Sequence, residues 1–228
     1  MLNAYGLTNP GVMKVIDRFQ INKFQKSKVS FDCLVIPSFY PEFSKGTDVA
    51  VAIKEITESI ELMDESVGFC AVELNFSCPN SKEIVRKNID DAIRCVKEVR
   101  KKFSWLNIIA KISIVHPYEF SQELERIGVN AIHSINTVPF GMVYLDKISP
   151  MANVGGGGVS GKPIFWQAYD YNKGLREKVK IPIIMGGGVT DLASVREYFA
   201  IGADAVSICT VALRQPRIAS EILELFNI

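Results

Sequence analysis

Residues 107–136 read NIIAKISIVHPYEFSQELERIGVNAIHSIN, and the fold is decided here. The stretch opens and closes on apolar runs of strand length, Asn107–Ser113 and Ala131–Asn136. Working outward, runs of the same kind recur at Cys33–Pro37, Phe69–Phe76, Ile181–Met185 and Ala205–Cys209. They are rich in Val, Ile and Phe, and several are apolar on both faces, as strands buried in a parallel sheet must be. Segments of helical periodicity separate them. Val49, Ile53, Ile56, Ile60 and Met63 recur at steps of four and three and make one apolar stripe; Ile89, Ala92, Ile93, Val96 and Val99 repeat the pattern. A further helix after Gly188 has Thr190 or Asp191 to cap it and Gly202 just past its end, and a closing helix fits Glu221–Phe226.

Strands that alternate with helices in this way predict a parallel α/β sheet. The chain supplies six strand–helix units, enough for an open doubly wound sheet but short of the eight in a closed (β/α) barrel. The first thirty residues hold the turn NAYGLTNPG and a helix-like stretch near Val12–Phe19, with no clear strand. Val138–Lys162 is the longest irregular segment, and loops of that length in compact domains commonly carry function.

Composition narrows the function classes. The 228 residues are 48% hydrophobic and 22% charged, suited to one well-buried domain. Lysine and arginine total 26 against 25 acidic residues, so there is no basic field to hold nucleic acid. No apolar run approaches the roughly 18 residues that span a bilayer, and the N-terminal residues lack a secretion signal, so a cytoplasmic location is expected. The cysteines (Cys33, Cys70, Cys78, Cys95, Cys209) show no CxxC spacing, and His116 and His133 stand far from any cysteine pair. Neither a disulfide framework nor a metal site is predicted.

Polar residues collect where the strands end: Asn75, Lys111, Asn136, Gly186–Gly188 and Thr210. In barrels and open α/β sheets that edge binds ligands. Lys111 sits inside IIAKISI, where burial disfavours its charge; it reads either as half of a structural ion pair or as a fixed cation beside an anionic ligand. MGGGVT (residues 185–190) is a glycine turn opening a helix, a natural phosphate site, with Gly187 and Gly188 offering backbone N–H groups. NFSCPN (75–80) sets a cysteine between two asparagines whose amides a polar planar ligand would satisfy.

Taken in order, NAYGLTNPG, NFSCPN, AKI, SINT, GGVSGKP, MGGGV and ICTVAL resemble the dihydroorotate dehydrogenase family over essentially the whole chain, and most nearly its class 1 branch with a cysteine base. The resemblance implies an FMN-containing (β/α)8 barrel that oxidises dihydroorotate to orotate in pyrimidine biosynthesis. Cys78 would be the general base at C5, and C6 would deliver hydride to the flavin. Asn75, Asn80 and Asn136 would bind the pyrimidine, with Asn3, Gly6, Leu7 and Thr137 around it. Asn75, Lys111, Ile135 and Gly161 would border the flavin, Lys111 facing its N1/O2 edge. Gly187, Gly188, Cys209 and Thr210 would hold its phosphate.

The sequence departs from the family pattern in several places. Two strands that usually precede NAYGLTNPG, with a lysine that touches flavin and substrate, have no counterpart, so an incomplete, N-terminally truncated barrel of low activity is expected. Cys209 stands where a glycine is usual, the segment after NFSCPN is short, and Pro139-Phe140 and Ser38-Phe39-Tyr40 are not the usual choices. Two alternatives stay open: a non-catalytic relative that binds FMN or another phosphate ligand, and a dihydropyrimidine dehydrogenase-like flavoenzyme. Class 1 membership implies either a homodimer or an electron-transfer partner subunit.

Overall fold

The structure, a computed structural model, describes residues 1–4, 10–25, 34–43, 48–77 and 89–226. Its centre is a six-stranded parallel sheet whose strands lie side by side in chain order: β2 (Ser38–Phe39), β3 (Ala71–Asn75), β4 (Asn107–Ile112), β5 (Ala131–Ser134), β8 (Ile183–Gly186) and β9 (Ala205–Ser207). The register is continuous, with Asn75 opposite Lys111, Lys111 opposite His133, and Gly186 opposite Ser207. β2 and β9 remain edges, so the described barrel wall is open, as six units predict.

Helices cover the sheet. The first, α1 (Val12–Gln25), precedes β2; α2 (Val49–Val67) buries Ile53, Ile56, Ile60 and Met63, the stripe legible in the sequence. The Asp48 carboxylate accepts from the Ala50 N–H at 2.8 Å and caps α2. In α3 (Ile89–Lys102), Asp90 and Asp91 open the helix and Arg100, Lys101 and Lys102 close it, matching its dipole. Cys95, on its buried face, is fully enclosed, and burial pushes its thiol up to about 12, so it is core and not chemistry. α4 (Tyr118–Arg126) follows β4.

The N-terminal ends of the strands are clamped by arginines. Arg100 donates to the Leu106, Gly128 and Asn130 oxygens at 2.6–2.7 Å. Arg176 pairs with Asp204 at 3.1 Å, and the same Asp204 oxygen accepts from the Ile183 N–H. This face holds the barrel wall together and leaves the opposite face for ligands.

Two expectations need correction. Among the residues expected as strand Cys33–Pro37, Cys33 lies outside the described residues and 34–37 are not paired as a strand; pairing starts at Ser38. Pro37 has no N–H to give, and its carbonyl only accepts from Glu73 at 2.8 Å. Leu34, Val35 and Ile36 are exposed beside it. The segment 138–162 is also less irregular than expected. β6 (Val138–Pro139), followed by the one-turn α5 (Phe140–Val143), and β7 (Gly158–Val159) form a small antiparallel sheet with β1 (Leu2–Asn3), in which the strands take the order β1-β7-β6. Gly155, Gly156 and Gly157, all at positive φ, turn the chain back into β7. Two-residue strands are too short to show a period. Beyond it come α6 (Phe165–Arg176), α7 (Leu192–Ala200), α8 (Thr210–Arg214) and α9 (Pro216–Phe226). No described helix is long and apolar enough to cross a membrane.

Candidate functional site

A cavity of about 300 Å³ opens at the C-terminal ends of β4, β5, β8 and β9. Lys111 enters its wall from β4; His133, Ile135, Asn136 and Thr137 come from β5 and the residues after it. Gly187, Gly188 and Val189 follow β8, and Ser207, Ile208, Cys209 and Thr210 end β9. The small sheet adds Asn3, and Ser160 and Gly161 follow it. Ten residues singled out in the sequence thus meet on one wall: Asn3, Lys111, Ile135, Asn136, Thr137, Gly161, Gly187, Gly188, Cys209 and Thr210. Cys78, Asn80, Gly6 and Leu7 lie outside the described residues.

Asn75 is buried and not on the wall; its Oδ1 accepts from the Ser77 N–H at 3.1 Å and hydroxyl at 2.6 Å. Asn136 donates from Nδ2 to the Ser77 carbonyl and hydroxyl oxygens, each at 3.0 Å, while its Oδ1 accepts from the Thr137 N–H. Ser77 is therefore the hub that fixes both asparagines, a role sequence reading missed. A serine flanked by more conspicuous residues in NFSCPN gives little signal on its own.

The glycine turn is shaped by packing. Gly187 and Gly188 hold φ of +104° and +78°. A Cβ on Gly188 would lie 2.5 Å from the Phe165 Cα, and one on Gly187 would lie 2.6 Å from the Ala168 Cβ, so the turn presses directly on α6. From behind, the buried Tyr198 hydroxyl sits 3.0 Å from the Gly186 oxygen and 2.6 Å from that of Gly187, and Asn172 Nδ2 donates to the Gly186 oxygen at 3.2 Å. The expectation that the helix after this turn offers its N-terminus to an anion needs qualifying. Asp191 caps α7, accepting from the Ser194 N–H at 2.8 Å, and the Ser194 hydroxyl accepts from Thr190 and Asp191. The backbone N–H of Ser194 beside it holds the Asp191 carboxyl below its ordinary value. The helix end already carries its own anion.

Around Lys111 lies a polar network drawn from five strands. The Lys111 ammonium stands 3.9 Å from Glu73 Oε1, a loose ion pair. Glu73 Oε1 also accepts from the Ser38 hydroxyl at 2.7 Å, and Glu73 Oε2 lies 2.5 Å from His133 Nδ1. His133 Nε2 reaches the Ser207 hydroxyl at 3.0 Å. Burial raises the Glu73 carboxyl, but the His133 hydrogen bond, the Lys111 charge and the Ser38 hydrogen bond together bring it below 4.5. An ionised carboxylate only accepts, so His133 Nδ1 carries a proton. The signal for this network was an acid in the apolar strand AVELN, two strands from HSIN.

Comparison with known proteins is decisive on the family. The dihydroorotate dehydrogenase family signature matches residues 1–227. The chain belongs to the dihydroorotate dehydrogenase family. Dihydroorotate dehydrogenase B (NAD(+)), catalytic subunit, of Oceanobacillus iheyensis is 32% identical over 98% of this chain and 70% of its own length. The protein of that name from Halalkalibacterium halodurans is 30% identical over the same shares. In fold, the DHODH of Eimeria tenella, solved in complex with ferulenol, superposes with a TM-score of 0.78 at 18% identity, covering 99% of this chain and 66% of that one. The chain thus spans about two thirds of the solved relative. This places the open parallel wall in the dihydroorotate dehydrogenase barrel fold.

Proposed function

We propose that the protein is an FMN-dependent oxidoreductase that converts dihydroorotate to orotate in pyrimidine biosynthesis, acting on a CH–CH bond. The supporting observation is the cavity itself: in a member of this family, one wall gathers a cation, three glycines at positive φ, and the polar ends of four strands. The residues fit a flavin mononucleotide. Gly161, at φ +79°, has its missing Cβ only 3.2 Å from the Thr210 Cγ2, so a side chain there would crowd the wall. Gly187, Gly188, Cys209 and Thr210 border one end for a phosphate, and Lys111 supplies positive charge toward the ring. FMN, when bound, supplies a two-electron acceptor for the hydride from C6. Cys78 removes the C5 proton, a step that needs a base within hydrogen-bond reach. Asn80 and Asn136 hold the pyrimidine, with Asn3, Gly6, Leu7 and Thr137 at its edge and Asn75 supporting Asn136 through Ser77, the hub that restricts Asn136 to one orientation. Lys111 stabilises negative charge on the side of the cavity it faces.

The names of the two curated relatives favour a catalytic subunit that works with an electron-transfer subunit over a homodimer that works alone. A cytoplasmic location is consistent with this reading.

The test is direct. The purified protein, titrated with FMN, should quench flavin fluorescence and gain a protein-bound flavin spectrum. Anaerobic dihydroorotate should then bleach that spectrum and yield orotate, and Cys78→Ala should retain FMN while losing bleaching. Absence of FMN binding would refute the cofactor assignment, and unimpaired bleaching in Cys78→Ala would refute the base.

A further inference from the structure

We propose that His133 is a positioning residue that keeps Lys111 available to the cavity by holding the Glu73 carboxylate away from it. The case rests on how one carboxylate is divided among three partners. Glu73 on β3 and His133 on β5 flank β4 and reach each other across it, the oxygen and Nδ1 at 2.5 Å. Ser38 on the edge strand β2 takes the other oxygen at 2.7 Å. Lys111, whose ammonium lies on the same side of the sheet, is left at 3.9 Å, beyond hydrogen-bond distance. Among the described residues its ammonium has no hydrogen-bond acceptor.

That arrangement has a purpose that a simple buried ion pair would defeat. A carboxylate near a half-buried ammonium attracts it. A carboxylate free to swing would close to direct contact and consume the donors that a bound anion requires. His133 and Ser38 remove that freedom. His133 is itself fixed from the far side by Ser207, whose hydroxyl lies at hydrogen-bond distance from Nε2. The carboxylate therefore supports the charge on Lys111 from a distance and leaves its N–H donors directed to other partners. His133 and Ser207 also line the cavity, so this support lies immediately beneath its wall.

The test reads Lys111 directly. His133→Phe keeps a ring of similar volume but cannot donate to Glu73; the carboxylate should close on Lys111. Acetylation of Lys111 by acetic anhydride, quantified by mass spectrometry on the folded protein, should slow at least threefold. His133→Gln, whose amide can still donate, should label at the unsubstituted rate. Combining His133→Phe with Glu73→Gln should restore labelling, since no carboxylate remains to capture the ammonium. Ser38→Ala, on an exposed edge strand, removes the other tether and should slow labelling by a smaller factor, which keeps the idea testable should His133→Phe not fold. Unchanged or faster labelling in His133→Phe, or in Ser38→Ala where the former does not fold, would overturn the proposal, as would failure of Glu73→Gln to restore it. A second arm rests on the FMN reading: FMN affinity, from fluorescence quenching, should fall about tenfold in His133→Phe and recover in the double variant. Should the unsubstituted protein bind no FMN, that reading fails while the labelling arm still decides the role of His133.

Discussion

Replacing Gly188 with alanine separates two roles that a glycine turn can play. As a residue expected to offer its N–H to a phosphate, Gly188 would exclude bulk because a side chain obstructs the ligand. The structure shows that the added Cβ would instead lie 2.5 Å from Cα, and 2.7 Å from Cβ and N, of Phe165, the first residue of α6. Backbone at the start of a packed helix cannot move aside as a flexible side-chain tip can. At φ +78°, alanine also pays the left-handed strain of about 1–2 kcal/mol. Overpacking against α6 adds about 1–3 kcal/mol, so Gly188→Ala should destabilise by about 2–5 kcal/mol in the absence of any ligand. Gly128→Ala is the matched control. It has φ +92°, and the nearest atom to its added Cβ is Arg100 Nε at 3.7 Å, ordinary contact. It should cost the backbone strain alone. Urea unfolding of both variants, with unchanged denaturant slopes, gives the comparison. Equal losses at the two positions would refute the packing argument, and a Gly188→Ala loss under about 0.5 kcal/mol would refute the geometry of the turn.

Lys111→Met should weaken FMN binding by about tenfold to a hundredfold, the loss of a charge-assisted hydrogen bond worth about 1.5–3 kcal/mol; fluorescence quenching measures it. Tyr198→Phe should cost about 1–3 kcal/mol by leaving the Gly187 carbonyl without its buried donor, read as a lowered unfolding midpoint. His116 gives a pH signature. Burial pushes its imidazole down to about 4 from 6.5, against a smaller opposing effect of the Ser113 backbone. The unfolded chain therefore takes up a proton below about pH 6.5 that the folded one refuses until about pH 4, and stability should fall by about 3 kcal/mol across that window. His116→Asn, which can still accept from the Ser113 N–H, should flatten this part of the profile in pH-dependent denaturation.

How much could be read beforehand follows from the range over which each feature is encoded. The long parallel strands and α2 carry their signal in consecutive side chains, so Asn107–Ile112 and the Ile53–Met63 stripe were legible within a residue or two. Of the ten cavity residues, Lys111, Asn136, Gly187, Gly188 and Thr210 were legible at the ends of strands whose order equals the chain order, which carries them to one edge; Asn3, Ile135, Thr137, Gly161 and Cys209 came only with the family resemblance. Pairing set the rest. The start of β2 follows Pro37, which has no N–H to pair, and the β1-β7-β6 sheet depends on two-residue partners, of which β1 and β7 lie more than a hundred positions apart. Asn75 was expected on the ligand side from its motif, and the hydrogen bonds that its Oδ1 accepts from Ser77 are a local detail that composition does not reveal. The Glu73–His133–Ser207 chain was missed for the same reason: each member is unremarkable until three strands bring them together.

Among the described residues, the sheet that follows the chain order also has two ends, and its pairing thins toward both. β4 is six residues long, its neighbours β3 and β5 five and four, while β2 and β9 hold two and three. A closed ring gives every strand two partners; a ribbon gives its last strand one. Local opening should therefore be cheapest at the margins and dearest at β4, with amide exchange graded along the ribbon. The cavity straddles that gradient, touching Lys111 at the most protected strand and Thr210 just past β9, one of the two short margins. A molecule bound across it would tie the fraying margin to the rigid centre, so occupancy should slow exchange most at the end of β9 and hardly at all around Lys111.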